Sequence, residues 1–164
     1  MRSRYTGQSI LIVGMSPGAR TPIGRPALDP HGRGSGRRLV ILSGIPIREF
    51  VTVFRRVNLL TDRAAGVARV GRGDRLVADI ARSRAREIAD AARGRSLLLA
   101  GQQVARAFGH SGRLYRFEAV MGVRAATIPH PSGLNRYWND PRNRNRFSTF
   151  MSVVAEETRK YGDQ

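Results

Sequence analysis

Three short clusters in the sequence hold side chains that could do chemistry. Gly14-Met15-Ser16-Pro17-Gly18 offers one hydroxyl in a glycine-bounded turn, and Asn58, at the end of a second strand-like run, carries an amide that can donate and accept hydrogen bonds at once. His130-Pro131-Ser132-Gly133 sets an imidazole beside a second hydroxyl. Each cluster alone has an ordinary reading: a plain turn, a local cap, a chance tripeptide. Their shared position says more. Each follows directly on an apolar run that reads as a strand, and in open α/β sheets ligands bind just outside the carboxyl ends of the strands. The chain has no Cys, which excludes disulfides, thiolate zinc sites and iron–sulfur clusters.

The elements that must position these clusters follow from hydrophobic patterning. Ser9–Val13 is short, apolar and rich in β-branched residues, as a buried parallel strand requires. From Gly14 to Gly36 the chain is rich in Gly, Pro and Arg without periodicity, and a loop of that length inside a compact domain reads as functional. Arg37–Gly44 and Ile47–Arg55 have helical spacing, with Pro46 where a helix start tolerates it. Arg56–Leu60 reads as the second core strand, and Asp74–Arg93 as an amphipathic helix with Leu76, Ile80, Ile88 and Ala92 on its apolar side and Asp74 as its cap. Ser96–Ala100 turns at Gly101 into the helix Gln102–Phe108, a compact βα unit. Leu114–Val120 alternates like an exposed edge strand, Arg124–Ile128 is the fourth core strand, and Phe147–Tyr161 is a closing helix. Strands alternating with helices imply an α/β fold: one domain over residues 1–164, a three-layer α/β/α sandwich around a central, mainly parallel four-stranded sheet.

Charge bounds the partners. Twenty-nine Lys plus Arg against twelve Asp plus Glu give a net charge of +17, and nearly all the cations are Arg. Arg presents a planar fork that grips phosphate bidentately, so such a field suits a nucleic-acid backbone. A GC-rich coding sequence raises Arg and Gly but does not explain the scarcity of acids. The run Asn139–Arg146 alternates arginines with polar residues and reads either as a solvated loop or as a phosphate-gripping extension of the His-Pro-Ser loop. No apolar run approaches the length of a membrane span, and Met1–Tyr5 lacks a following signal-peptide core, so a soluble, cytoplasmic monomer is expected.

Taken in order, the glycine-bounded loop after the first strand, the Asn-bearing second strand, the Leu97-Leu98-Leu99-Ala100-Gly101 βα unit and the His-Pro-Ser loop before the last helix resemble the uracil-DNA glycosylase superfamily over almost the whole chain. Gly14–Gly18 looks like its water-activating motif. Gly34-Ser35-Gly36-Arg37-Arg38-Leu39 is similar to the segment that opens the first helix in its thermostable branches, and His130-Pro131-Ser132 matches its leaving-group and DNA-wedge motif.

The resemblance implies a base-flipping DNA glycosylase acting on uracil or a modified pyrimidine, with no cofactor and no metal. By that likeness His130 and Ser16 are the catalytic candidates. Gly14, Met15, His31 and Asn58 would hold the base, with Asn58 reading its edge and His31 standing where an aromatic stacks. Pro17, Gly18, Ser35, Ser132, Gly133, Leu134, Arg136 and Tyr137 would contact DNA, although Tyr137 and Trp138 equally suit a core. His130 would donate to the base oxygen on which charge develops. Most active branches place Asp or Asn where this chain has Ser16, whose neutral hydroxyl is no comparable base. Two other readings therefore stand beside hydrolysis: a catalytically silent DNA-binding module, and an enzyme of modified-base metabolism using the same pocket for group transfer.

Overall fold

The structure, a computed structural model, describes residues 9–17, 25, 27–60 and 75–162. Asp74, Gly18 and Met1–Tyr5 lie outside the described residues, and so does the side chain of Leu76. In chain order the elements are β1 (Ile10–Gly14), α1 (Ser35–Ser43), α2 (Ile47–Val53), β2 (Phe54–Asn58), α3 (Arg75–Ala91), β3 (Ser96–Ala100), α4 (Gln102–Phe108), β4 (Phe117–Val120), β5 (Val123–Ile128), a 3-10 turn (Arg136–Asn139) and α5 (Pro141–Gly162).

The strands form one sheet in the order β2-β1-β3-β5-β4, with β2, β1, β3 and β5 parallel and β4 antiparallel to β5. The expected four-stranded sheet is thus corrected to five. The reason is local: Met121 and Gly122 both take positive φ, 49° and 75°, which is the geometry of a tight two-residue hairpin, and it folds the alternating edge segment back onto β5. The bounds of the second strand also move. Leu59 and Leu60 leave β2 but keep pairing, since their amides donate to the Gly14 and Met15 carbonyls.

Parity along the strands divides the core in two. Ile10, Ile12, Phe54, Leu98, Ala126 and Ile128 face one side, where they pack with Leu39 and Val40 of α1, Phe50 of α2, and Phe147, Met151 and Val154 of α5. Val13, Leu97, Leu99, Val123 and Ala125 face the other, against Val77, Ala81, Ala85 and Ile88 of α3 and Val104 and Phe108 of α4. Both faces of the sheet are covered, which is why its central strands read as continuous apolar runs rather than alternating ones. Ile80, expected on the apolar side of α3, is instead 41% exposed, because the buried stripe runs through Val77, Ala81, Ala85 and Ile88.

The closing helix starts earlier than its apolar periodicity suggests. Asn139–Arg146, expected as a loop, is mostly the last residue of the 3-10 turn and the first turns of α5. Asp140 Oδ1 accepts from the Arg142 amide at 2.9 Å, a side-chain cap, and Pro141 supplies a pre-set φ at the first helical position. Burial of Phe147 and Met151, at roughly 1.5–3 kcal/mol each, then holds the helix to the sheet. Among the described residues, no helix is long and apolar enough to cross a membrane.

Candidate functional site

The parallel strands deliver the three clusters to one edge. β2 and β3 flank β1 on opposite sides, so the chain reverses its winding between β1 and β3, and the carboxyl ends beside that switch are where such sheets form crevices. Gly14, Asn58, Gly101 and His130 all sit at those ends.

The first half of the site is built on β1 and β2. Gly14 and Asn58 are paired in register, and Asn58 is only 8% exposed. A methyl at Gly14 would come within 3.0 Å of Asn58 Oδ1 and 3.3 Å of Leu28 Cγ, so the missing side chain is what admits the Asn58 amide. No hydrogen bond among the described residues engages that amide. Met15 is partly buried against the α3 side of the sheet, while Ser16 and Pro17 are partly exposed in the turn beyond it. The chain then returns through Leu28, Asp29, Pro30 and His31. His31 is exposed, and its amide donates to Asp29 Oδ1; Leu28, not His31, is the apolar side chain against Gly14.

Asp29 is a carboxylate that sequence reading passed over. It pairs with Arg25 at 3.1 Å and exerts a field on Arg56, two residues before Asn58 on the same face of β2. Burial and the neighbouring Arg55 pull the Arg56 pKa down, Asp29 opposes them, and the Arg56 Nε is buried without a partner. The Asp-Pro pair at Asp29-Pro30 was the available signal, since that dipeptide favours turn initiation.

The second half is the loop after β5. His130 Nδ1 accepts the Ser132 amide at 3.2 Å, so the neutral ring carries its proton on Nε2 and can only donate from there. Burial lowers the His130 pKa, which keeps that neutral form across the physiological range. Its carbonyl is held twice, by Asn135 Nδ2 and by Trp138 Nε1, each at 2.9 Å. Ser132 Oγ accepts from the Leu134 amide, and Gly101, with φ 99°, packs so closely that a methyl there would sit 3.2 Å from His130 Cβ. From this tethered base, Leu134 projects 94% exposed, with Gly133 and Arg136 also exposed. Tyr137 is committed elsewhere: its hydroxyl bonds Tyr115 at 3.0 Å and its ring packs edge-on against Trp138, which is core.

α1 touches both halves. Gly36 lies so close to the Leu28–Asp29 backbone that a methyl would fall 2.2 Å from the Leu28 carbonyl, and two residues on, Arg38 Nη1 is 3.9 Å from where a side chain on Gly133 would begin. Ser35 opens this helix and is partly exposed beside them. Asn58 and His130 are separated by β1 and β3, roughly 14 Å at the backbone from three strand spacings of about 4.8 Å.

The other buried histidine has a different job. His110 Nδ1 accepts from the Gly112 amide and the Thr127 hydroxyl, and its Nε2 donates toward the carbonyls of Ala125 and Arg116, so every ring atom able to bond is used by the scaffold. A cavity of about 110 Å³ lies at the opposite, amino edge, lined by Ile10, Ser96, Phe117, Arg124 and Glu157. It holds none of the candidate residues, and the carboxyl edge is where a parallel sheet directs its loops. Among the described residues no group of three or more His, Asp or Glu is placed to hold a metal ion.

Comparison of the chain with protein-family models finds no match, and comparison with curated proteins finds no significant one.

Proposed function

We propose that the chain is a DNA glycosylase that flips uracil or a modified pyrimidine out of the stack and hydrolyses its N-glycosidic bond. The observation that carries this reading is the state of His130: a half-buried imidazole with Nδ1 occupied and Nε2 left as a fixed donor, on a loop tied at three points. Such a donor suits an oxygen that gains negative charge as a bond breaks, and a preorganised donor of this kind is worth most where water is excluded.

In the proposed reaction the bond from the sugar C1′ to the base nitrogen breaks and its electron pair leaves with the base, spreading onto the carbonyl oxygen that accepts from His130 Nε2. A water oxygen then bonds to C1′ and releases its proton to solvent or to the departing base. Asn58, a buried residue whose amide forms no hydrogen bond among the described residues, pairs with the base edge from the β2 side. The two side chains, with a single-ring base between them, would span the gap across β1 and β3. Ser16 supplies a hydroxyl to orient the water and no charge.

The test is incubation of the purified protein with oligonucleotides carrying uracil and a panel of modified pyrimidines, followed by detection of free base and of alkali-labile abasic sites. Release of one base with formation of the matching abasic site is the expected result. Ser16 favours a second reading, a DNA-binding module without catalysis. Binding to the whole panel with release from none of its members would establish that reading instead.

A further inference from the structure

The arginine run that opens α5 is not used by the reaction above, and its placement is unusual on physical grounds. A helix amino terminus carries a partial positive charge and is the wrong end for cations. Yet Arg142, Arg144 and Arg146 all lie within the first six residues of α5, all exposed, with no acidic residue in the first turn and only Asp140 at the cap. Arg136, exposed on the preceding 3-10 turn, adds a fourth cation. Arg142 is ion-paired with Asp140 at 2.9 Å and Arg144 lies in the field of that carboxylate, while Arg136 makes no ion pair with a carboxylate among the described residues.

Three contacts fix where these cations stand. Ser148 Oγ donates to the Ser43 carbonyl, so that side of α5 faces α1, and Arg144, one turn earlier, shares that side. Arg146 lies over the Tyr115 ring at 5.9 Å, on the side away from α1. Arg38 of α1 reaches the loop at Gly133. Cations from α1 and from the start of α5 thus accompany the His130–Leu134 loop and the segment that follows it. Arg142 and Arg146, four residues apart, are separated by roughly 6 Å along the helix axis, comparable to two phosphate steps of about 3.4 Å along one strand.

We propose that Arg136, Arg142, Arg144 and Arg146 form a phosphate track that binds the backbone of duplex DNA flanking the site. The proposal rests on the reading of the partner as DNA but not on base release, and its test needs no catalysis. Binding of an unmodified 20-base-pair duplex is measured by fluorescence anisotropy from low to moderate salt, and the logarithm of affinity is plotted against that of salt. With three phosphate contacts removed, the variant Arg142→Gln/Arg144→Gln/Arg146→Gln should lose about 2 to 3 units of slope and bind on the order of a hundredfold more weakly at 0.15 M salt. The control Arg82→Gln/Arg86→Gln/Arg93→Gln removes the same charge from α3 and the turn after it, on the opposite face of the sheet, and should lose less than one unit.

Equal losses in the two variants would show that net charge alone acts and would overturn the track, as would an unchanged slope in the α5 variant. If the wild-type chain fails to bind the duplex even at low salt, both the track and the DNA reading fall. Thermal unfolding is followed in parallel, and the α5 variant should melt close to wild type, because relief of cations at the helix start offsets the loss of the exposed Arg142–Asp140 pair. Should it melt lower, the single variants Arg136→Gln and Arg144→Gln decide the matter, each expected to lose about one unit of slope.

Discussion

Replacing His130 by Ala should separate the proposed catalysis from the scaffold, because the structure divides the residue's contacts between side chain and backbone. The loop is anchored through the His130 carbonyl, which accepts from Asn135 and Trp138, and neither bond depends on the imidazole. The side chain contributes the acceptor for the Ser132 amide and the Nε2 donor. Losing the first costs about 1 kcal/mol, a net hydrogen bond, which lowers the melting temperature of a domain this size by only about 2–4 °C. Losing the second removes a donor to developing charge, which costs about 10²–10³ in rate, or about 2.7–4 kcal/mol. His130→Ala should therefore reduce single-turnover base release by at least a hundredfold while duplex affinity changes less than threefold. His130→Gln, which keeps an N–H of similar reach, should recover part of the rate. The measurement is single-turnover abasic-site formation on the best substrate of the panel, beside anisotropy on the same duplex. Release within tenfold of wild type in the Ala variant would refute the assignment of the leaving-group donor to His130, and equal losses of binding and release would show that the ring only shapes the loop.

Three further outcomes follow from particular contacts. Asn58→Ala should relax discrimination among bases in a competition assay more than it lowers the rate on the best one, since an edge-reading amide penalises wrong partners through unpaired polar groups; an unchanged preference would count against the pairing role. Gly36→Ala drives a methyl into the Leu28 carbonyl and should cost about 1–3 kcal/mol by overpacking, visible as a lower denaturant midpoint together with weaker DNA binding. The lowered His130 pKa makes the native state bind fewer protons than the unfolded chain below the ordinary histidine pKa of about 6.5. The contribution of His130 to stability is therefore complete above that pH and is lost as pH falls through the lower native value. Urea titrations from pH 7.5 to 5 should show that loss, reduced in His130→Gln, and base release should hold at neutral pH and fall only on the acid side.

Much of the scaffold was legible because burial on both faces leaves strands with continuous apolar runs: Ile10–Val13 and Ser96–Ala100 are unambiguous, and Gly101 marks the turn into α4. The β4–β5 pairing was less so. The alternating segment identifies a strand, but its addition to the sheet depends on Met121 adopting a positive φ that no residue type announces. The start of α5 was misread because an arginine-rich, apolar-poor stretch has no helical periodicity to show, and only the Asp140-Pro141 signal of cap and first position betrays it. In the site, His130 and Asn58 could be found as polar residues just past strand ends. Leu28 and Arg38 could not, because they reach the site through a returning loop and a helix start whose approach is set by the absent side chains of Gly14, Gly36 and Gly133, and for Asp29 only the turn-forming Asp29-Pro30 pair gave a signal.

Those glycines also bear on how the absence of a carboxylate at Ser16 is to be understood. A site that relied on a charged base would need one rigid acid close to the scissile bond, and Asp29, an acid at this edge among the described residues, is drawn toward Arg25 and the field of Arg56. The rigidity lies instead around His130, with its ring nitrogen, its carbonyl and the close approach of Gly101 all fixed. In the proposed reaction, preorganisation is concentrated on the side that would receive the departing base rather than on the side that would present water. Bases that already leave as stable anions gain most from such an arrangement, so pyrimidines whose ring substituents withdraw electrons should be released faster than plain uracil.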